Sequence, residues 1–178
     1  MKFVSSAECG HGLPSPCGRA WLGEADELLR TQPAHIERDF RPHFVTFATH
    51  KRKPLPFWAR DLVLDACRYH SEKTCDLLAA VVMPDHVHLI LIPLIDEVKR
   101  CVVPLCWITR SIKGYSARQI NGRSGQKGQV WQDESFDHVI RRGDFDAKLD
   151  YLLRNPERKG LARSWQEYRW CFWKEGEG

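Results

Sequence analysis

The sequence predicts an α+β fold, a ferredoxin-like βαββαβ unit in which an antiparallel sheet carries two helices on one face and further helices follow at the C-terminus. Three observations lead there. Short stretches at residues 43–49, 77–83 and 86–93, rich in branched and aromatic side chains, have strand length and composition. Two longer stretches, 58–75 and 104–121, repeat their apolar residues at helical spacing. Pro84-Asp85 joins two of the strands by turn chemistry alone, so those strands pair as a hairpin. A chain of 178 residues with 43% apolar content fits one domain with a core of its own.

In chain order, residues 1–38 hold Gly10, Gly12, Gly18, Gly23, Pro14, Pro16 and Pro33 without a sustained apolar period, and read as an irregular extension before a domain at 39–178. The strand at 43–49 is ended by Lys51, Arg52, Lys53 and Pro54. The first helix is amphipathic, with Trp58, Leu62, Ala66 and Tyr69 on one stripe and Ala59, Val63 and Cys67 beside it. In the strand at 86–93, alternation sets His86, His88, Ile90 and Ile92 on one face and Val87, Leu89 and Leu91 on the other. Pro104 suits the first turn of the second helix and Asn121-Gly122 its end; Leu105, Ile108, Ile112, Tyr115 and Gln119 define its continuous face. After a Gly-rich linker, the later half of 130–141 supplies the last strand of the unit. Asp144 then caps a helix carrying Phe145, Leu149, Leu152 and Leu153 that stops before Pro156, and Ser164 with Glu167 matches a capping box for a short final helix.

Composition narrows the function classes. The formal charge is only +4 and the pI about 8.7, so a nucleic-acid surface has to come from local clustering. No apolar run approaches the roughly 18–20 residues of a bilayer span, and no secretory signal opens the chain. The expectation is a cytoplasmic protein that meets no membrane, with its seven cysteines reduced. Cys9, His11 and Cys17 form the one cluster with a metal-like flavour; without a second ligand pair they read as ordinary side chains.

The chemistry concentrates elsewhere. Two histidines separated by one apolar residue on a strand present both imidazoles to one side, close enough to share a divalent metal. His86 and His88 have that spacing. If the second helix packs on their face, Gln119 ends its stripe where an apolar residue is expected, and its amide oxygen can complete the site. Tyr115 precedes it by one turn and points the same way, a nucleophile sharing a cleft with the metal ligands. From 98 to 132 there are seven cations, including Arg110, Lys113, Arg118, Arg123 and Lys127, and no carboxylate. With Lys51, Arg52, Lys53, Arg141 and Arg142 they form the expected DNA surface, Trp107 and Trp131 offering rings on which bases stack.

The sequence resembles the IS200-like transposases with a single catalytic tyrosine, the HUH group, and among them the REP-associated tyrosine transposases. The resemblance runs from about residue 42 to 173, through VMPDHVHLILIP (82–93), SIKGYSARQIN (111–121), VWQDESFDHVIR (130–141) and YLLRNPERKGLA (151–162). It implies that His86 and His88 hold Mg²⁺ or Mn²⁺ with Gln119, and that Tyr115 is the nucleophile. It further implies cleavage and rejoining of single-stranded or hairpin DNA through a 5′-phosphotyrosine, with a free 3′-OH able to reverse the step. Two other readings share the fold and the basic surface: an inactive or domesticated DNA-binding protein, and a metal-dependent phosphodiester hydrolase that uses water.

Overall fold

In the computed structural model of the chain, the described residues are 41–174 apart from 97, 99 and 142. The expected extension at 1–38, with Cys9, His11 and Cys17, lies outside them, as does Arg142.

The strands are β1 (His43–Ala48), β2 (Cys75–Val82), β3 (His86–Pro93), a small pair β4 (Ile95–Asp96) and β5 (Cys101–Val102), β6 (Phe136–Val139) and β7 (Cys171–Trp173). The helices are α1 (Phe57–Tyr69), α2 (Leu105–Ser124), α3 (Phe145–Leu153) and the single turn α4 (Asn155–Arg158). The main sheet runs in the order β6-β1-β3-β2-β7, every neighbouring pair antiparallel. The expected βαββαβ order is present, with β7 added outside β2.

The sheet has two unlike faces, and cross-strand partners share a face. Thr46 opposes both His88 and Phe136, and Phe44 opposes Ile90 and His138, so these side chains lie on what we call the histidine face. Val45, Phe47, Val87, Leu89 and Leu91 alternate to the other side and are buried. There α2 applies Ile108, Ile112, Ser116 and Ile120, with α1 packed against it. Trp131 fixes this arrangement: its ring meets Phe47 edge-on at 5.0 Å and its Nε1–H donates to Ser116 Oγ at 2.9 Å. The histidine face is covered by α3, which packs chiefly over β2 and β3.

Several boundaries differ from the sequence reading. α1 ends at Tyr69 rather than residue 75, because 70–74 form a turn with Glu72 at φ 65 and Cys75 already belongs to β2. α2 runs on to Ser124 and stops at Gly125, whose φ of 66 suits a residue without Cβ. The helix begun at Phe145 resumes after Arg154 as α4, since Pro156 falls in its first turn, where a missing N–H costs nothing. Ser164 makes no side-chain cap; Glu157 Oε1 instead accepts the Trp165 N–H at 2.8 Å. Cys67, Cys75 and Cys171 are free thiols, the first two buried. No helix among the described residues is long and apolar enough to cross a membrane.

Candidate active site

His86 and His88 point the same way from β3, with ring centroids 4.8 Å apart. Each has its Nδ1 engaged. His86 Nδ1–H donates to Asp85 Oδ1 at 2.6 Å, and His88 Nδ1 is 2.8 Å from Thr46 Oγ1 on β1. An Nδ1–H donated to a neighbouring oxygen leaves Nε2 with its lone pair, the tautomer a metal requires. Burial pushes the His88 pKa down to about 3, helped by the charges of His86 and Arg52 and opposed by Asp85, so this imidazole is neutral near pH 7.

Asp85 is itself held. Its backbone carbonyl accepts the Thr49 N–H at 2.9 Å and the Thr49 hydroxyl at 3.1 Å, and Arg52 Nη1 reaches its Oδ2 at 3.3 Å. Burial raises its pKa, but the hydrogen bond and charge of His86, together with Arg52, outweigh burial and leave the carboxyl below the usual range. To make this contact the chain passes through Lys51 and Arg52, both at φ 54, a left-handed conformation that costs a non-glycine residue free energy. The result is a chain of contacts, Arg52 to Asp85 to His86, that fixes the imidazole from behind.

The residues expected to complete the site are elsewhere. Tyr115 and Gln119 belong to α2, which covers the face opposite the histidines, and both are exposed. The buried stripe of α2 is Ile108, Ile112, Ser116 and Ile120. Ser116 is fully buried because its hydroxyl donates to Ile112 O at 2.7 Å and receives the Trp131 indole, so a small polar residue continues the apolar row and Tyr115 turns outward. The structure therefore does not bring Tyr115 or Gln119 to His86 and His88.

A different tyrosine stands there. Tyr151 of α3 has its ring centroid 6.0 Å from that of His88 and 6.1 Å from that of Phe44. Arg158 places its guanidinium 5.1 Å from the Tyr151 ring, and Lys148, one turn before the tyrosine, lies 5.8 Å from the Phe44 ring. Asn155 follows Tyr151 by four residues; it is buried, and its Oδ1 has no hydrogen-bond partner among the described residues. A buried carbonyl without a donor is costly, so an unfilled acceptor calls for a partner. The available signal was the Tyr-x-x-x-Asn spacing at 151–155, which repeats the Tyr-x-x-x-Gln spacing at 115–119.

The expected DNA cations divide similarly. Arg110, Arg118 and Arg123 are exposed on α2, away from the histidine face, Arg123 lying 4.7 Å over the Trp58 ring. Lys113 is not a free cation: its Nζ donates to Asp133 O at 3.0 Å, Glu134 O at 3.3 Å and Ser135 Oγ at 3.1 Å. Burial lowers its pKa, Arg110 adding to that and Asp133 opposing it. Lys51 and Lys53 are exposed beside the Asp85 turn, Arg52 is engaged by Asp85, and Lys127 and Arg141 are exposed.

The family model described as "Transposase IS200 like" matches residues 38–140, more than half of the chain. The chain belongs to the IS200-like transposases. The matched stretch includes the histidine pair and α2 and ends before Tyr151. The fold is shared with a REP-associated tyrosine transposase solved bound to a REP hairpin, at 21% identity and a TM-score of 0.58, over 74% of this chain and 76% of that one. A candidate transposase from Deinococcus radiodurans R1 is similar at 19% identity and a TM-score of 0.43, over 64% of this chain and 88% of that one. No protein of curated function matches the chain.

The donor set of the site suits a divalent cation only when an amide oxygen is included: among the described residues there is no group of three His, Cys, Asp or Glu that would hold one. His86 and His88, each with its Nδ1 occupied, could offer two nitrogens to such a cation, and Asn155 Oδ1, unpaired among the described residues, could offer the oxygen. Two imidazoles and an amide favour Mn²⁺ over Mg²⁺.

Proposed function

We propose that this transposase cleaves and rejoins single-stranded or hairpin DNA with Tyr151, not Tyr115, as its nucleophile, and that His86, His88 and Asn155 hold Mn²⁺ or Mg²⁺. The observation that carries the reading is the meeting on one sheet face of Tyr151 and both histidines, with the buried Asn155, its Oδ1 unpaired among the described residues, one helical turn beyond the tyrosine. A divalent ion bound there supplies Lewis-acid polarisation of a phosphate oxygen. Tyr151 Oη attacks phosphorus, forming the Tyr–O–P bond as the bond to the 3′-oxygen breaks. The phenol gives up its proton and the departing 3′-oxygen takes one up, leaving a 5′-phosphotyrosine and a 3′-OH. A 3′-OH attacking the phosphotyrosine reverses the step without ATP.

Asp85 and Thr46 orient the two imidazoles, and the buried neutral state of His88 keeps its Nε2 available at neutral pH. Arg158 supplies positive charge beside the Tyr151 ring, where phosphate charge accumulates, and Lys148 adds a cation over the neighbouring Phe44 ring. The hairpin-bound relative supports a hairpin substrate.

The test incubates the full chain with labelled hairpin and single-stranded DNA and Mn²⁺, resolves products on a denaturing gel, and maps the modified peptide by mass spectrometry. The expected result is a covalent species with the nucleotide on Tyr151. Binding without a covalent species would support the inactive DNA-binding reading, and turnover without an adduct the hydrolase reading.

A further inference from the structure

Phe136 is a large apolar side chain left 59% exposed on the histidine face, at the start of edge strand β6. Its placement follows from register. Phe136 opposes Thr46, and Thr46 opposes His88 while contacting its Nδ1. Two strand spacings separate Phe136 from His88 across the sheet, about 10 Å. α3 lies over β2 and β3, and the β6 side of the same face stays open: Phe136 and His138 are both exposed. His138 stacks on Phe44 with centroids 5.4 Å apart and planes at 24°, and Phe44 in turn contacts His88 and Tyr151. A run of ring contacts through the buried Phe44 thus leads from the proposed reaction centre to His138 on β6.

The segment leading into Phe136 is fixed on both sides. Trp131 is anchored in the core on Phe47 and Ser116, and Lys113 Nζ gathers Asp133 O, Glu134 O and Ser135 Oγ. Phe136 therefore stands on a rigid mount, although its ring contributes little burial to the fold. An exposed ring on the face of the reaction centre offers a surface on which an unpaired base can stack.

We propose that Phe136 is a stacking platform for one nucleobase of the DNA strand adjoining the reacting phosphate. The inference rests on the reading of Tyr151 and the histidine pair as the strand-cleaving site, and names how that site takes single-stranded substrate. Charge selects the base as the part that lies there. Arg158 stands against the Tyr151 ring and Lys148 over the Phe44 ring, whereas Asp133 and Glu134 lie three and two residues before Phe136. Phosphates are drawn to the helix side, and the uncharged π-face of a base is left for the ring. Stacking on an aromatic side chain tolerates any base and requires it unpaired, so the platform selects single strands over duplex.

The test uses the full chain carrying Tyr151→Phe, so that DNA is bound and not cut, with single-stranded oligonucleotides in which 2-aminopurine replaces one base at a time. One position next to the scissile phosphate should be quenched on binding. Phe136→Ala should abolish that quench and weaken single-strand affinity about tenfold, while Phe136→Trp should retain both. Unchanged quenching and affinity in the Ala variant would overturn the proposal. So would a shift of DNA-free protein from dimer to monomer in sedimentation on Phe136→Ala with no change in DNA affinity, which would make the ring a contact between two copies of the chain. Failure of the catalytic reading is separate: it would appear as an otherwise wild-type chain that forms no Tyr151 adduct, whatever Phe136 does to the quench.

Discussion

Two helices of this protein carry a tyrosine followed four residues later by an amide: Tyr115 and Gln119 on α2, and Tyr151 and Asn155 at α3 and α4. Read as spacing, they are equivalent. In the fold the two tyrosines lie on opposite faces of the sheet, and only Tyr151 shares a face with His86 and His88. The first pair is exposed beside a structural stripe; Tyr151 is flanked by His88, Phe44 and Arg158, and Asn155 is buried with its carbonyl unfilled. A local motif says which side chains share a helix face, but the layer in which that helix packs decides whether they share a site.

The largest separation between the two faces should come from the histidines. His88→Ala should abolish the covalent DNA product and Mn²⁺ binding, followed by electron paramagnetic resonance, while Gln119→Ala leaves both unchanged. Loss of Mn²⁺ binding in the Gln119 variant would return α2 to the site. Next in size is the support behind His86. Asp85→Asn should weaken Mn²⁺ binding by about 10–100-fold, and Arg52→Ala by less, with Arg52→Lys restoring part of it. Equal metal affinity in all three would show that the Arg52–Asp85–His86 contacts only shape the turn.

Acid should also single out the histidine face. The folded His88 pKa lies near 3, below the value of about 6.5 expected of an unfolded histidine. The unfolded chain therefore binds the proton more readily, so the stability His88 contributes is present above about pH 6.5 and is lost as pH falls towards 3. Urea midpoints measured without added metal should fall more steeply over that window in wild type than in His88→Gln, and parallel profiles would contradict the burial argument. On the α2 face the effect should be structural and smallest. Ser116→Ala leaves the Trp131 N–H without its acceptor and should cost about 1–3 kcal/mol in chemical denaturation, with the yield of covalent product from the folded fraction unchanged.

Much of the architecture was legible because it depends on local pattern. Alternation in β3 set both histidines on one face, the Pro84-Asp85 turn set the hairpin, and the order of strands and helices along the chain set the βαββαβ unit. The outward turn of Tyr115 has a specific physical origin. Along α2 the apolar row Ile108 and Ile112 continues by hydrophobicity to Tyr115, yet the buried position is Ser116, whose hydroxyl is satisfied by a tryptophan 15 residues later. That contact is tertiary and leaves no periodic trace. The same holds for Lys113, which reads as a surface cation and is spent on loop oxygens at 133–135. Tyr151 and Asn155 were obscured because Pro156 reads as a helix end, whereas the Arg154 N–H donates to Asp150 O at 2.9 Å and the Arg158 N–H to Arg154 O at 3.0 Å, as in a helix.

The most direct test of the account compares Tyr151→Phe and Tyr115→Phe side by side, each with labelled hairpin DNA and Mn²⁺ on a denaturing gel. Each substitution removes a single hydroxyl from a partly exposed ring, so both variants should fold and bind DNA as wild type does. The account predicts that the covalent band disappears in Tyr151→Phe and persists at wild-type yield in Tyr115→Phe. A band that survives in Tyr151→Phe and vanishes in Tyr115→Phe would contradict it and place the nucleophile on the opposite helix.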